Sequence, residues 1–359
     1  MRRPYVWRAF FLWFFPLVVS LGACHKKVAD PAVATGRQLY ARMCAVCHGD
    51  AGEGYRADQA PRLAQPELLA SASDDFLREA IGSGRAGSTM SAWGRARGGP
   101  LGPEQVDAVI RFMRTWQQGL DVKLDESPLR GDASSGGLVF RARCGGCHGP
   151  RGGGASGPRI GNADFLRSAS DGYLRYALTR GRANTKMPAY ATLLAPAEID
   201  GVVAALRGFA ATLPPPAPPP PPPPPPSPLA LGPVPLHPKG PEPRGFTVHP
   251  GTTGVDLVKA ELDRGAKMGI LDARAPSDYI NEHITGAVSV PFYDPTPYLD
   301  KLPKNAWLVC YCACPHAESG QLAQKLLAAG FKKVTVLNEG LLVWRSKQYP
   351  TSKGERPGP

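Results

Sequence analysis

Two stretches of the chain place apolar residues at intervals of three and four positions. They run over residues 103–116 and 196–209, and each begins close to a proline. Such spacing puts the apolar side chains on one face of a helix, and a helix tolerates proline in its first turn. We therefore predict two helices with one buried face each. Their apolar positions are Val106, Val109, Ile110, Met113 and Trp116 in the first, and Ile199, Val202, Val203, Leu206 and Phe209 in the second.

After about residue 246 the pattern changes to short apolar runs separated by amphipathic stretches. The runs cover residues 269–273, 287–291, 306–312 and 333–338, and the predicted helices cover 254–264, 319–329 and 340–347. Strands that alternate with helices form a parallel sheet covered on both faces. The pattern therefore predicts an α/β domain at the end of an otherwise helical chain.

The first residues have the features of an export signal. Arg2, Arg3 and Arg8 precede an apolar run at residues 9–23, and Cys24 follows it. A basic region, a short apolar core and small residues before the cleavage point are typical of a secretory signal.

The ending Leu-Gly-Ala-Cys resembles the lipobox of a bacterial lipoprotein, which implies a signal peptide over residues 1–23 and a lipid on Cys24. The alternative is an uncleaved membrane anchor, which the short run and its interruption by Pro16 disfavour. Both interpretations place the mature chain outside the cytoplasm. We predict the periplasm, with a lipid anchor in the inner or outer membrane of a Gram-negative bacterium.

The N-terminal half contains one sequence unit used twice. The matching segments are residues 36–54 with 136–154, 77–94 with 174–191, and 101–116 with 194–209. Self-similarity at a fixed spacing indicates a repeated structural unit. We therefore predict two domains of the same fold, over residues 24–120 and 121–212.

Each unit contains Cys-x-x-Cys-His, the covalent attachment motif of c-type haem. The residues are Cys44, Cys47 and His48 in the first unit, and Cys144, Cys147 and His148 in the second. Two thioether bonds tether the porphyrin, and the adjacent histidine is then held in place to ligate the iron. A structural zinc site or a redox dithiol is the alternative, but two aligned copies in an exported chain favour haem.

The second axial ligand is predicted from the repeat. Met90 and Met187 align with each other, and a methionine opposite histidine suits electron transfer because it leaves no open position on the iron. Met43 lies beside a haem cysteine and cannot reach the opposite face of the ring. Met113 aligns with Leu206 on the closing helix, so core packing accounts for it.

Both units resemble the class I cytochrome c domain, in which a few helices surround one haem. The resemblance covers about half of the chain. It implies two covalently bound haem c groups, four axial iron ligands (His48, Met90, His148 and Met187) and redox protein partners.

Residues 214–228 are almost pure proline and belong to a predicted linker over residues 213–245. Such a segment adopts an extended polyproline II conformation at roughly 3.1 Å per residue, so it would span on the order of 45 Å. We expect this spacer to hold the C-terminal domain away from the haems.

The C-terminal domain resembles the rhodanese superfamily. The motifs are Leu-Asp-Ala-Arg at residues 271–274, His-Ile-Thr-Gly-Ala-Val at 283–288 and Asn-Glu-Gly-Leu-Leu-Val-Trp at 338–344. The resemblance implies a domain over residues 246–350, followed by a flexible tail at 351–359.

Three cysteines lie within five residues of this domain. The resemblance assigns the catalytic role to Cys312, at the end of the central strand, and a helix N-terminus there would favour its thiolate. Cys310 points to the same face of the strand and is interpreted as a buried apolar residue. Cys314 could resolve a persulfide or form a disulfide, and His316 is the potential cation of the loop. A metal site shared by the three cysteines is disfavoured, because a strand cysteine cannot easily turn towards loop sulfurs.

Glu318 occupies the position where related phosphatases and arsenate reductases carry an anion-binding arginine. Its carboxylate would repel thiosulfate or phosphate. The sequence therefore leaves three hypotheses open for this domain: a sulfurtransferase that takes a small sulfur compound, an inactive docking module, or a Cys312/Cys314 redox dithiol.

The formal net charge of +12 is spread along the chain without a run of lysines or arginines. Such a distribution supports a mild attraction for acidic partners and no dedicated nucleic-acid surface. We predict no nucleic-acid partner.

Overall fold

A computed structural model describes residues 1, 30–57, 60–119, 121–211, 234, 236–313 and 316–358. The predicted signal peptide, Cys24, most of the proline-rich segment and Cys314 lie outside these ranges. Within them, no helix is both long enough and apolar enough to cross a bilayer.

Within the described residues, each cytochrome unit contains five α-helices. The first unit contains α1 (Pro31–Met43), α2 (Ala45–His48), α3 (Pro66–Ser71), α4 (Asp74–Ser83) and α5 (Pro103–Arg114). The second contains α6 (Ala133–Arg143), α7 (Gly145–His148), α8 (Ala163–Ser168), α9 (Asp171–Arg180) and α10 (Pro196–Ala211). Short 3₁₀ turns lie at Arg95–Arg97 and Pro150–Gly152. The predicted closing helices correspond to α5 and α10.

The repeat extends to individual contacts. Serine caps the N-terminus of α4 and of α9, where Ser73 accepts a hydrogen bond from the Phe76 amide and Ser170 accepts one from the Tyr173 amide. Phe76 and Tyr173 are equivalent residues, and their rings meet between the units with centroids 4.8 Å apart. The two copies therefore pack together through the same face.

One glycine in each unit lets the first and last long helices cross closely. A Cβ atom on Gly36 would lie 1.9 Å from the Ala108 carbonyl oxygen, and one on Gly136 would lie 1.9 Å from the Gly201 carbonyl oxygen. Real side chains do not approach backbone this closely. The spacing between the helices therefore requires glycine at both positions.

The C-terminal domain is built on a five-stranded parallel sheet in the order β1-β6-β5-β2-β4. The strands are β1 (Thr252–Thr253), β2 (Met268–Asp272), β3 (His283–Ile284), β4 (Val288–Ser289), β5 (Trp307–Tyr311), β6 (Val334–Leu337) and β7 (Thr351–Ser352). The helices are α11 (Val255–Asp263), α12 (Pro276–Asn281), α13 (Ala317–Ala328) and α14 (Gly340–Ser346), with a 3₁₀ turn at Thr296–Lys301. The four predicted strands and three predicted helices all occur, with ends shifted by a few residues at most.

Two predicted boundaries need correction. Thr351 and Ser352 lie in the predicted flexible tail, but they form β7 and pair with β3. The end of the predicted linker also belongs to the fold, because Val234 is buried and the Leu236 amide donates to the Met268 carbonyl. Tertiary contacts, which local composition does not encode, order both segments.

The carboxyl ends of the parallel strands rest against the first cytochrome unit. Ser277 and Asp278 follow β2, Tyr293 and Asp294 follow β4, and α13, which follows β5, contacts α2. The contacts are Ser91 Oγ donating to Asp278 Oδ2 (2.5 Å), Ser277 Oγ donating to the Ala92 carbonyl (2.7 Å), Arg42 donating to the Tyr293 carbonyl (3.3 Å), and the rings of Trp93 and Tyr293 with centroids 5.7 Å apart.

This arrangement corrects the expectation that the spacer separates the C-terminal domain from the cytochrome units. A proline-rich segment sets the length of chain between two domains, whereas their surfaces determine whether they meet. Buried apolar residues of both units and of the C-terminal domain form one cluster. We call the contact between the carboxyl edge of the sheet and the first cytochrome unit the docked edge.

Candidate haem sites and candidate sulfur site

The two predicted haem-attachment motifs have the same backbone geometry. In the first unit, α1 ends at Met43 and a single helical turn carries the motif, with the Cys47 amide 3.2 Å from the Cys44 carbonyl oxygen. In the second unit, the Cys147 amide lies 3.1 Å from the Cys144 carbonyl oxygen. Both pairs of sulfur atoms therefore project from one turn, as attachment of one porphyrin requires.

The two histidines have a fixed tautomer. The Nδ1 atom of His48 lies 2.9 Å from the Pro61 carbonyl oxygen, and Nδ1 of His148 lies 2.9 Å from the Pro158 carbonyl oxygen. A carbonyl oxygen can only accept, so Nδ1 carries the proton and Nε2 keeps a lone pair for a metal. The cysteines and histidines thus form a donor set that fits a covalently held haem iron.

The two methionine loops also match. The Met90 amide donates a hydrogen bond to Ser88 Oγ at 3.2 Å, and the Met187 amide donates one to Thr185 Oγ1 at 3.1 Å. Both methionine side chains are half-buried and pack against the apolar cluster. Met113, in contrast, is fully enclosed in the core, in agreement with its predicted packing role.

The two motifs differ in exposure. His48 and Ala45 are buried in the first unit, where α13 of the C-terminal domain contacts α2. In the second unit Cys147 and Gly146 are exposed. The docked edge therefore covers one attachment motif and leaves the other accessible.

Cys312 follows β5 and is fully buried. Its Sγ atom lies 3.3 Å from Oγ of Ser319, in the first turn of α13. This places the sulfur near the amide groups at a helix N-terminus, which favour negative charge. Cys310 is two residues earlier and also fully buried, and burial raises the pKa of its thiol. Its position agrees with the predicted apolar role.

His316 is the residue before α13 and has a left-handed backbone conformation with φ of 76°. A second histidine, His249, interacts with it. The pKa of His249 is lowered by burial and by the nearby His316. Within the described part of the chain, Nδ1 of neither ring has a hydrogen-bond partner. No local motif points to His249, because it lies more than 60 residues before the loop.

Several charged groups are buried beneath the loop. Arg274 forms two hydrogen bonds to the Asp272 carboxylate at 3.0 and 2.6 Å and a third to the Glu282 carbonyl at 2.6 Å. Tyr311 donates to Asp272 at 2.6 Å. Because these groups satisfy one another, Arg274 is already engaged and is not presented to a substrate anion.

Glu318 lies close enough to Cys312 to interact electrostatically, as its predicted place in the pocket requires. Burial, followed by the proximity of Cys312 and Asp278, raises the pKa of Glu318 well above its usual range. A buried carboxyl without a paired cation favours its neutral form. The interpretation of Glu318 as a repelling carboxylate is therefore replaced by that of a neutral acid beside the sulfur.

Comparison with known families agrees with this architecture. Residues 31–113 and 131–204 match the family model of the cbb3-type cytochrome c oxidase subunit III. Residues 255–347 match the rhodanese-like domain model. The chain therefore has cytochrome c domains in its N-terminal half and a rhodanese-like α/β domain at its C-terminal end, and the predicted fold class is confirmed. Cytochrome c domains imply covalently bound haem c.

Individual relatives cover parts of the chain. The cbb3-type cytochrome c oxidase subunit CcoP of Rubrivivax gelatinosus is 32% identical over 124 residues, which are 34% of this chain and 36% of that protein. The subunit FixP of Bradyrhizobium diazoefficiens is 33% identical over 82 residues, 23% of this chain and 27% of that protein. This chain spans less than half the length of such curated relatives. The solution structure of the rhodanese-like domain from the Anabaena Alr3790 protein is 29% identical, covers 29% of this chain and 80% of that chain, and has a TM-score of 0.27.

Proposed function

We propose that this chain, which joins cytochrome c domains to a rhodanese-like domain, is an exported, lipid-anchored dihaem electron carrier of the periplasm. The observation that supports this most directly is the duplicated donor set, in which each histidine keeps Nε2 for iron. In each unit the two cysteines would hold the haem, and His48 with Met90, or His148 with Met187, would ligate the iron. The haem supplies reversible one-electron transfer, and its partners would be redox proteins.

Intact-mass analysis and ferric absorption spectra test this assignment. The exported protein should carry the mass of two haems. Met90→Ala and Met187→Ala should each remove about half of the weak charge-transfer band that methionine sulfur gives on ferric haem. Met113→Leu is the matched control, because this methionine is buried in the core, and it should leave the band unchanged. A band that survives the double Met90→Ala/Met187→Ala change would refute the axial ligands.

For the rhodanese-like domain we propose persulfide transfer on Cys312, in the context of sulfur-compound oxidation. The supporting observation is the position of its sulfur at the N-terminus of α13, beside Ser319. The thiolate would attack the outer sulfur of a low-molecular-weight persulfide, so that Cys312–SH and R–S–SH give Cys312–S–SH and R–SH. His316 would add positive charge when protonated, and Cys314 could accept the sulfur or form a disulfide.

A gain of one sulfur atom in mass after incubation with a small persulfide tests this step. Cys312→Ser should abolish the gain, while Cys310→Ser should retain it, because Cys310 lies within β5 and only Cys312 follows the strand to meet the N-terminus of α13. No gain with the intact protein would support the second candidate, an inactive docking module. The docked edge favours that candidate, since it buries the Cys312 side of the sheet.

A further inference from the structure

The methionine loop of the second cytochrome unit is fastened within its own unit. The Tyr190 hydroxyl, three residues after Met187, donates a hydrogen bond to the Arg143 carbonyl at 3.1 Å. Arg143 is the last residue of α6 and immediately precedes the first haem cysteine of that unit. One side chain thus connects the methionine loop to the attachment motif.

In the first unit the equivalent residue is Trp93, which has no hydroxyl, and its ring packs instead against Tyr293 of the rhodanese-like domain. The loop residues between Met90 and Trp93 are also held from outside their own unit. Ser91 donates to Asp278 and the Ala92 carbonyl accepts from Ser277.

These contacts are enclosed. Ser91 and Trp93 are 4% and 5% exposed, and Ser277 is 2% exposed. A hydrogen bond that is shielded from water is lost at a cost, because the group left behind has no solvent to replace its partner. The loop and α12 are therefore fixed to each other.

We propose that Ser277 and Asp278 are positioning residues for the methionine ligand of the first haem, so that the rhodanese-like domain completes this site while the second site is self-contained. The inference rests on the proposed function in one respect, the assignment of Met90 as an iron ligand. It adds that two residues of a different domain hold the ligand loop.

The test uses the full-length holoprotein in two backgrounds that isolate one methionine each. In the Met187→Ala background, only the first haem retains a methionine ligand. Adding Ser277→Ala and Asp278→Ala to this background should remove most of the remaining charge-transfer band. The two changes should also lower the midpoint potential of the first haem. In Met90→Ala, the same pair of changes should leave the band of the second haem intact. Tyr190→Phe is the matched control and should show the opposite pattern.

Two further measurements separate positioning from a general loss of structure. Asp278→Asn keeps an oxygen acceptor for Ser91 and should restore most of the band. In the protein with Ser277→Ala and Asp278→Ala, hydrogen exchange of the backbone amides should become faster in residues 88–94. It should remain unchanged in residues 185–191. An unchanged band and potential in the Met187→Ala background would overturn the inference. A band that persists in Met90→Ala/Met187→Ala would instead refute the ligand assignment, which is a distinct result.

Discussion

At the scale of single residues, Glu318 shows how burial changes the meaning of a side chain. The sequence presents it as a charge in a pocket that would bind anions. The structure encloses it beside Cys312 and Asp278, where burial raises the pKa of its carboxyl. A neutral acid does not repel an anion, and it can donate a hydrogen bond. Electrostatic repulsion of thiosulfate therefore does not apply while Glu318 is protonated.

We predict that Glu318→Gln changes the pH dependence of stability in the C-terminal domain. The folded state binds the Glu318 proton more tightly than the unfolded state, so folding stability falls as pH rises above the unfolded pKa towards the raised folded pKa. Glutamine is neutral throughout, so the variant should gain stability relative to the original protein in this window and not below it. Hydrogen exchange of residues 307–311, compared at equal pH, measures the difference. A constant difference between pH 4 and pH 8 would contradict a raised pKa.

At the scale of elements, the sequence predicted the helices and strands that have a regular pattern of apolar residues. The closing helices α5 and α10 and strands β2, β5 and β6 follow long apolar patterns, and their ends were located within a few residues. Strands β1, β3 and β7 have two residues each and lie outside the predicted apolar runs, and their partners are distant in the chain. α12 lies between two strands and has six residues, so it too gave no usable pattern.

The residues of the candidate sites also fall into two groups, those found from a local motif and those brought in by the tertiary fold. The cysteines and histidines proposed to bind haem and the position of Cys312 follow from local motifs. His249 and Asp278 reach the sulfur site only through the tertiary fold. The Ser91–Asp278 hydrogen bond joins residues 187 positions apart, and no pattern in a single sequence encodes such a pair.

We predict that Gly136→Ala disrupts the second cytochrome unit, whereas the neighbouring Gly137→Ala does not. The new Cβ at residue 136 would lie 1.9 Å from the Gly201 carbonyl, so α6 and α10 would have to separate, at a cost of about 1–3 kcal/mol. At residue 137 the nearest atom is Arg141 Nη1 at 3.8 Å, and alanine favours a helix over glycine by about 0.5–1 kcal/mol. Thermal unfolding followed in the haem absorption compares the two. Equal midpoints would show that the helices do not cross as closely as described.

At the scale of the whole molecule, the docked edge determines which reagents reach Cys312. The sulfur is fully buried, and the first cytochrome unit covers the edge of the sheet at which substrates of a parallel α/β fold normally enter. The interface includes an exposed ion pair of Arg42 with Asp294, which contributes little, and the enclosed ring pair of Trp93 with Tyr293. Access to the sulfur therefore depends on separation of the two domains.

We predict that Trp93→Ala increases the rate at which a small alkylating reagent modifies Cys312. The change removes the apolar contact of the docked edge, so the open state should become more populated. Peptide mass analysis of residues 305–325 after timed alkylation measures the rate. Arg141→Ala, on the exposed surface of the second unit, is the control and should have no effect. If Trp93→Ala and the original protein are alkylated at Cys312 at the same rate, the Trp93–Tyr293 contact does not limit access to the sulfur.

We also predict that Cys24→Ser releases the protein from the membrane or blocks its maturation, because the lipid of a lipobox cysteine is the expected anchor. Membrane fractionation and the N-terminal mass provide the measurement. Unchanged membrane attachment with residues 1–23 retained would favour an uncleaved anchor.

The covalent connection between the second cytochrome unit and the rhodanese-like domain lowers the affinity that the docked edge needs in order to stay closed. Residues 212–233 join the rhodanese-like domain to the second cytochrome unit, which packs against the first, so the rhodanese-like domain stays near the first unit when the docked edge opens. A tether that spans its two sites maintains an effective concentration of the order of millimolar. An interface with an intrinsic dissociation constant of about 10 μM would then be occupied about 99% of the time. A contact too weak to hold two independent proteins together would therefore be strong enough to keep this edge closed.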